Sequence, residues 1–359
     1  MHRRLPIYFV VDVSESMAGD ELYQLEEAMN SIVATLRKDP YALETAYISV
    51  IVFAGKAKTL VPLVELVRFH QPELPIGGGT GLGTALKHLM AELDRTLVPS
   101  SSDRKGDWRP VVFLLTDGVP TDDTRDAVDL WQRKYRDRVN LVAVSVGGQA
   151  DLAVLRRLTE NVIVFMDAAP DAFAKFAQWV SMSIQAASRS VATGRGDGVQ
   201  LAKPDETVVH LAPESGAGSW GTADQRYAIL IGRCEKSSHP YLMKFHRDPE
   251  GIRELLAREN ALEFARDFDY LFKTTIPLHQ NYFELTEASS GGQTVNMARL
   301  LGGSPCPHCG ASYTLALCGG CQNIHCISGE GIAICPWCKT ASEYGHSDGS
   351  DMIANRGQG

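Results

Sequence analysis

Long apolar runs are missing from this 359-residue chain; the opening residues MHRRLPIYFVV hold only five apolar residues in a row. A secretory signal needs about 7 to 15 and a membrane span about 20, so neither is expected. Positive charge is also scarce. Lys and Arg number 35 against 43 Asp and Glu, a net charge of −8, which argues against broad nucleic-acid contact. Cysteine is nearly confined to one segment, with seven of eight inside residues 306–338. Dense Cys-x-x-Cys pairs without an export signal read as a metal site in a reducing compartment, ahead of a disulfide framework, and the expected location is the cytoplasm. Nucleotide-binding spacings are missing too. The glycines of GGGTGLGTAL (residues 77–86) fit neither G-x-x-x-x-G-K-[ST] nor G-x-G-x-x-G, and their expected role is backbone freedom in a tight loop.

What is present begins with alternation. Up to about residue 190, short branched apolar stretches (IYFVVDV, YISVIVF, TLVPLVEL, VVFLLT, NLVAVSVG, VIVFM) alternate with segments that repeat apolar residues every three or four positions. YISVIVF and TLVPLVEL are separated only by AGKAK and should form a hairpin, whereas the remaining connections want helices. The expected fold is α/β, a doubly wound, mostly parallel sheet with one antiparallel edge and ligands beyond the carboxyl ends of its strands. Residues 191–219, rich in Gly and Ser, read as a flexible linker, residues 220–345 as a small α+β domain, and 346–359 as a disordered tail.

Asp12, Ser14 and Ser16 follow the first strand in DVSES; Thr80 lies in the glycine loop, and Asp117 ends VVFLLTDG. Hydroxyls and carboxylates together suit a hard divalent cation and not zinc. Ser14 or Ser16 could instead cap the first helix, but capping does not require three segments to carry the same chemistry to one sheet edge. Phosphatase chemistry of the haloacid-dehalogenase kind is disfavoured, because the acid expected two residues after Asp12 is Ser14. No H-E-x-x-H occurs either. Residues 1–190 resemble a von Willebrand factor type A domain, with DVSES, GGGTGLGTAL and TDG matching its metal-ion-dependent adhesion site. The resemblance implies that Ser14, Ser16 and Thr80 bind Mg2+ (or Ca2+ or Mn2+) directly or nearly so, and that Asp12 and Asp117 act largely through water. A partner's carboxylate would complete the ion.

The late cysteines run Cys306-x2-Cys309-x8-Cys318-x2-Cys321-x4-Cys326-x8-Cys335-x2-Cys338. Two Cys-x-x-Cys turns make a tetrahedral zinc site, so Cys306, Cys309, Cys335 and Cys338 are expected to hold one ion in a zinc ribbon over 304–340, with YTLALC and IHCI as strands between. Cys318, Cys321 and Cys326 could hold a second ion with His325 or His308, although packing is the plainer role for both histidines. A RING-like cross-brace would also use eight ligands. Cys234, alone on an expected strand, reads as a small buried hydrophobe.

From Trp220 to Cys338, RYAILIGRCEKSSHPYLMKFHRD, NYFELT, ARLLGGSPCPHCG and GEGIAICPWC resemble the TerY-type C-terminal metal-binding domain of the tellurite-resistance and stress-response family. That family leads one to expect C-x-C-G where this chain has CGGC, which weakens the case for Cys318 and Cys321. The resemblance implies a non-enzymatic, metal-dependent protein-interaction scaffold of a bacterial chemical-stress or phage-defence system. Its implied partners are a PP2C-type phosphatase, a protein kinase or other components of the tellurite-resistance system. The alternatives are an accessory subunit of an AAA+ chelatase or remodelling ATPase and, behind it, a phosphatase or zinc-dependent ligase.

Overall fold

Eight consecutive buried residues, Leu5–Asp12, form the first strand, β1, and every one of them is enclosed because helices cover both faces of its sheet. The computed structural model describes residues 3–102, 105–146, 150–165, 170–192, 226–287, 294–345 and 352–356. The chain divides into two compact units.

In the first unit β1 is followed by α1 (Asp20–Leu36), α2 (Pro40–Thr45), β2 (Ala46–Phe53), β3 (Ala57–Glu65), α3 (Leu82–Thr96), β4 (Val111–Thr116), α4 (Arg125–Lys134), β5 (Asn140–Val146), α5 (Leu152–Leu158), β6 (Val162–Phe165) and α6 (Pro170–Ala192). The strand order is β3-β2-β1-β4-β5-β6. All pairings are parallel except β2 with β3, the expected hairpin. Alternate side chains serve opposite faces. Tyr8, Val10, Ile51, Val112 and Leu114 pack with Leu86, Leu89 and Trp131 from α3 and α4. On the other face Phe9 stacks on Phe113 at 5.5 Å, and α6 sets the rings of Phe176 and Trp179 nearly perpendicular to that of Phe113. Strand order reverses between β1 and β4, and this switch point leaves a crevice at their carboxyl ends. Among the described residues no helix is long and apolar enough to cross a membrane.

The second unit contains β7 (Tyr227–Arg233), β8 (Pro240–His246), α7 (Pro249–Arg258), β9 (Tyr270–Pro277), α8 (Tyr282–Leu285), β10 (Thr294–Asn296), β11 (Leu300–Leu301), β12 (Tyr313–Leu317), β13 (Ile324–Ile327), β14 (Gly331–Ile334), β15 (Ala341–Tyr344) and β16 (Ile353–Asn355). Six of these strands make one mixed sheet, β11-β9-β8-β7-β13-β12, while β14–β15 and β10–β16 are separate antiparallel pairs. Tyr241 of β8 passes over Gly232 of β7, where an added Cβ would lie 2.3 Å from the ring. Only glycine admits that approach, which lets the Tyr241 hydroxyl donate to Thr314 O at 2.6 Å.

Two expectations change. The tail reading of 346–359 fails at Ile353–Asn355, where Ala354 is fully buried and Met352 packs against the core; so short a strand shows no period in sequence. PEGIRELLARENALEFARDFDYLF, whose sequence reads as one or two helices, departs from that expectation at its end, because Tyr270 opens β9. The expected linker lies outside the described residues from 193 onward.

Candidate metal centres

At the carboxyl end of β1, the parallel register Val11↔Leu115 sets Asp12 beside Thr116, whose Oγ1 donates to Asp12 Oδ2 at 2.6 Å. The chain then turns: Ser14 N donates to Asp12 Oδ1 at 2.9 Å, and Ser14 Oγ lies 3.0 Å from Ser16 Oγ. Ser16 Oγ donates across to Asp117 Oδ1 at 2.8 Å. Ser14 stands at the N-cap of the short helical turn Glu15–Met17 without a side-chain cap hydrogen bond, and the residue at the N-cap of α1 is Gly19. Thr80 arrives from the third segment, and a Cβ added to Gly118 would lie 3.2 Å from its Oγ1. Its loop is tied down on two sides. Gly81 N donates to Ala54 O at 2.6 Å, and a Cβ there would come within 2.8 Å of that carbonyl, so glycine is needed for the close approach.

All five oxygen-bearing residues are buried. Burial and the Asp117 charge push Asp12 up to about 7, against hydrogen bonds from Thr116 and Ser14 that favour its ionised form. Two carboxylates in a buried crevice with three hydroxyls favour a cation with oxygen preference. Sequence reasoning missed the supports. Thr121 exchanges two hydrogen bonds with Thr80, N to O and Thr80 N to Oγ1, both 2.9 Å. Asp122 accepts from Gly83 N, Thr84 N and Thr84 Oγ1 at the start of α3. Both follow TDG in the polar run VPTDDT, a signal available in sequence but lacking any spacing rule.

The cysteines form two quartets: Cys234, Cys306, Cys309 and Cys326 in one, Cys318, Cys321, Cys335 and Cys338 in the other, with the sulphurs of each within 4.8 Å of one another. The expected single site of Cys306, Cys309, Cys335 and Cys338 is therefore divided between them. The physical reason is the β12–β13 hairpin. Cys318 and Cys321 occupy its turn, whereas Cys326 lies toward the opposite end of β13, where Cys306 and Cys309 precede β12. A strand advances roughly 3.3 Å per residue, too far for one ion to serve both ends. β13 also runs parallel to β7 with His325↔Arg233 in register, which brings the next residues, Cys326 and Cys234, abreast.

Four turns share one hydrogen-bond pattern. Cys234, Cys306, Cys318 and Cys335 each accept at O from the N–H four residues on and donate at N to the O five residues on. The residue four positions on has positive φ in every case: Ser238, Gly310, Gln322 and Lys339. Cys234 thus heads a fourth turn that has Ser237 where the others have a second cysteine, and Cys326 supplies the missing thiol. Its signal in sequence was parity, because seven clustered cysteines leave one place in two quartets.

Tetrahedral zinc with Zn–S near 2.3 Å sets sulphurs about 3.8 Å apart. Cys309–Cys326 at 3.6 Å, Cys318–Cys338 at 3.6 Å and Cys321–Cys335 at 3.7 Å fit that geometry. Burial pushes Cys335 up to about 12, whereas hydrogen bonding from Thr340 holds Cys338 down to about 6. Four thiolates are soft donors and leave no open position, so such a site holds a fold together. Neither imidazole joins a quartet: His308 Nε2 lies 2.8 Å from Pro240 O, and His325 links Cys326 O to Tyr344 Oη.

Comparison with known proteins divides the chain at the same place. Residues 7–178 match the von Willebrand factor type A domain and residues 224–359 the TerY-C metal binding domain. Inter-alpha-trypsin inhibitor heavy chain H6 of Homo sapiens is 27% identical over 159 residues, 43% of this chain and 12% of that protein. Matrilin-1 of Mus musculus is 26% identical over 165 residues, 44% of this chain and 31% of that protein. The chain thus spans less than a third of either relative's length. Among solved structures, a von Willebrand factor type A protein from Catenulispora acidiphila is 19% identical, covering 51% of this chain and 43% of that one with a TM-score of 0.39.

Proposed function

Because the chain joins a von Willebrand factor type A domain to a TerY-C metal-binding domain, we propose that it is a non-enzymatic scaffold that docks proteins through a divalent cation. The observation that carries the reading is the convergence of Asp12, Ser14, Ser16 and Asp117 through buried hydrogen bonds, with Thr80 beside Gly118. Mg2+, or Ca2+ or Mn2+, is held by Ser14, Ser16 and Thr80, while Asp12 and Asp117 orient its waters. With few anionic ligands on the ion, an acidic side chain of the partner completes the coordination. The two cysteine quartets hold structural zinc. The partners are a PP2C-type phosphatase and a protein kinase, or other components, of a bacterial tellurite-resistance, chemical-stress or phage-defence system, and the setting is the cytoplasm.

Capture of that phosphatase and kinase by the immobilised chain tests the reading. The wild type is expected to retain them in Mg2+ and release them in EDTA, and Asp12→Ala to retain neither in Mg2+. EDTA also strips zinc; Asp12→Ala separates the two effects. Equal retention in all arms would remove the docking mechanism.

A further inference from the structure

The two quartets differ in a way their shared chemistry does not require. Cys234, Cys306 and Cys326 are members of the hydrophobic core of their unit, Cys309 packs against it, and no member is exposed. None of Cys318, Cys321, Cys335 and Cys338 belongs to that core, and Cys338 is exposed to solvent. Cys338 lies 3.6 Å from the buried Cys318, within reach for a sulphur–sulphur bond.

We propose that the second quartet is an oxidation site for peroxides, at which a disulfide between Cys338 and Cys318 expels its zinc while the first quartet keeps its own. This rests on the reading of both quartets as zinc sites. The Cys338 thiolate attacks one peroxide oxygen; the S–O bond forms, the O–O bond breaks, and hydroxide leaves as water after taking a proton. The Cys318 thiolate then attacks that sulphur; the S–S bond forms, the S–O bond breaks, and a second hydroxide leaves as water. Two thiolates, one hydrogen peroxide and two protons thus become one disulfide and two waters. The ion keeps only Cys321 and Cys335 and passes to solvent. Two contacts independent of the metal hold the altered segment to the sheet: Trp337 Nε1 donates to Ile324 O at 2.7 Å, and Tyr344 Oη meets His325 Nε2 at 2.7 Å. Two equivalents of an external thiol, themselves oxidised to a disulfide, therefore return Cys318 and Cys338 to thiols, and Zn2+ from solvent rebinds without refolding the unit.

The test uses the full chain as purified with zinc. Native mass spectrometry first counts the ions. Hydrogen peroxide is then added, release is followed with a zinc-sensitive dye, and disulfides are mapped by peptide mass spectrometry. The expected result is two ions at the start, one released at least about tenfold faster than the other, and a Cys318–Cys338 linkage accompanying the fast phase. Cys338→Ser should abolish that linkage. Two bound ions that leave together, or first oxidation within the core quartet, would overturn the proposal and leave the zinc reading standing. A chain without zinc in either quartet would overturn both.

Discussion

Asp12 is a carboxylate whose surroundings pull in opposite directions: burial and Asp117 push it up to about 7, and hydrogen bonds from Thr116 and Ser14 resist. An unfolded aspartate titrates near about 3.9, so the folded form holds its proton more tightly. The stability this contributes is complete below the unfolded value and is lost as pH rises through about 7. In EDTA, scanning calorimetry should therefore show the transition of the first unit falling between pH 5 and pH 8. Added MgCl2 should raise it more at pH 8, where metal and proton no longer compete, and Asp12→Asn should flatten the profile. At Gly232 sterics rule instead. Gly232→Ala drives a methyl into the Tyr241 ring and should destabilise the second unit by about 1–3 kcal/mol, whereas Gly303→Ala, with nothing within 4 Å, should be near neutral by denaturant titration. Asp12, Ser14 and Ser16 were legible because they are contiguous. Thr116 and Thr121 were not, because threonine is common and their partners, Asp12 and Thr80, arrive from distant segments.

At the scale of elements, the alternation of apolar strands with three- and four-spaced helices was readable because both faces of a parallel sheet must be covered. The short AGKAK link likewise announced the β2–β3 hairpin. What sequence spacing did not reveal was the partner of β13. Its parallel pairing with β7, distant in sequence, decides that Cys326 meets Cys234 and that Cys306 and Cys335 belong to different quartets. Cys234→Ala separates these arrangements. With two quartets, it should reduce bound zinc from two ions to one by native mass spectrometry and destabilise the β7–β8 turn. A ribbon of Cys306, Cys309, Cys335 and Cys338 would keep its ion unchanged.

For the whole molecule, hard and soft donors occupy different units: carboxylate and hydroxyl oxygens at the β1–β4 switch point and cysteine sulphurs around β12 and β13. Legibility followed the same division, because each unit carries its own motif and neither needs the other to be recognised; how the quartets share their ligands depends on tertiary pairing. Metal linkage should therefore separate by residue. A ligand that binds only the folded state stabilises by about 2.7 kcal/mol at a hundredfold excess over its Kd. In Asp117→Ala the MgCl2-dependent rise of the first transition should vanish while zinc content stays at two ions. In Cys321→Ala the rise should persist while one zinc is lost. Loss of zinc in Asp117→Ala, or of the MgCl2 response in Cys321→Ala, would mean that the two chemistries are not independent, and each cation would then have to be counted as a ligand of the whole chain.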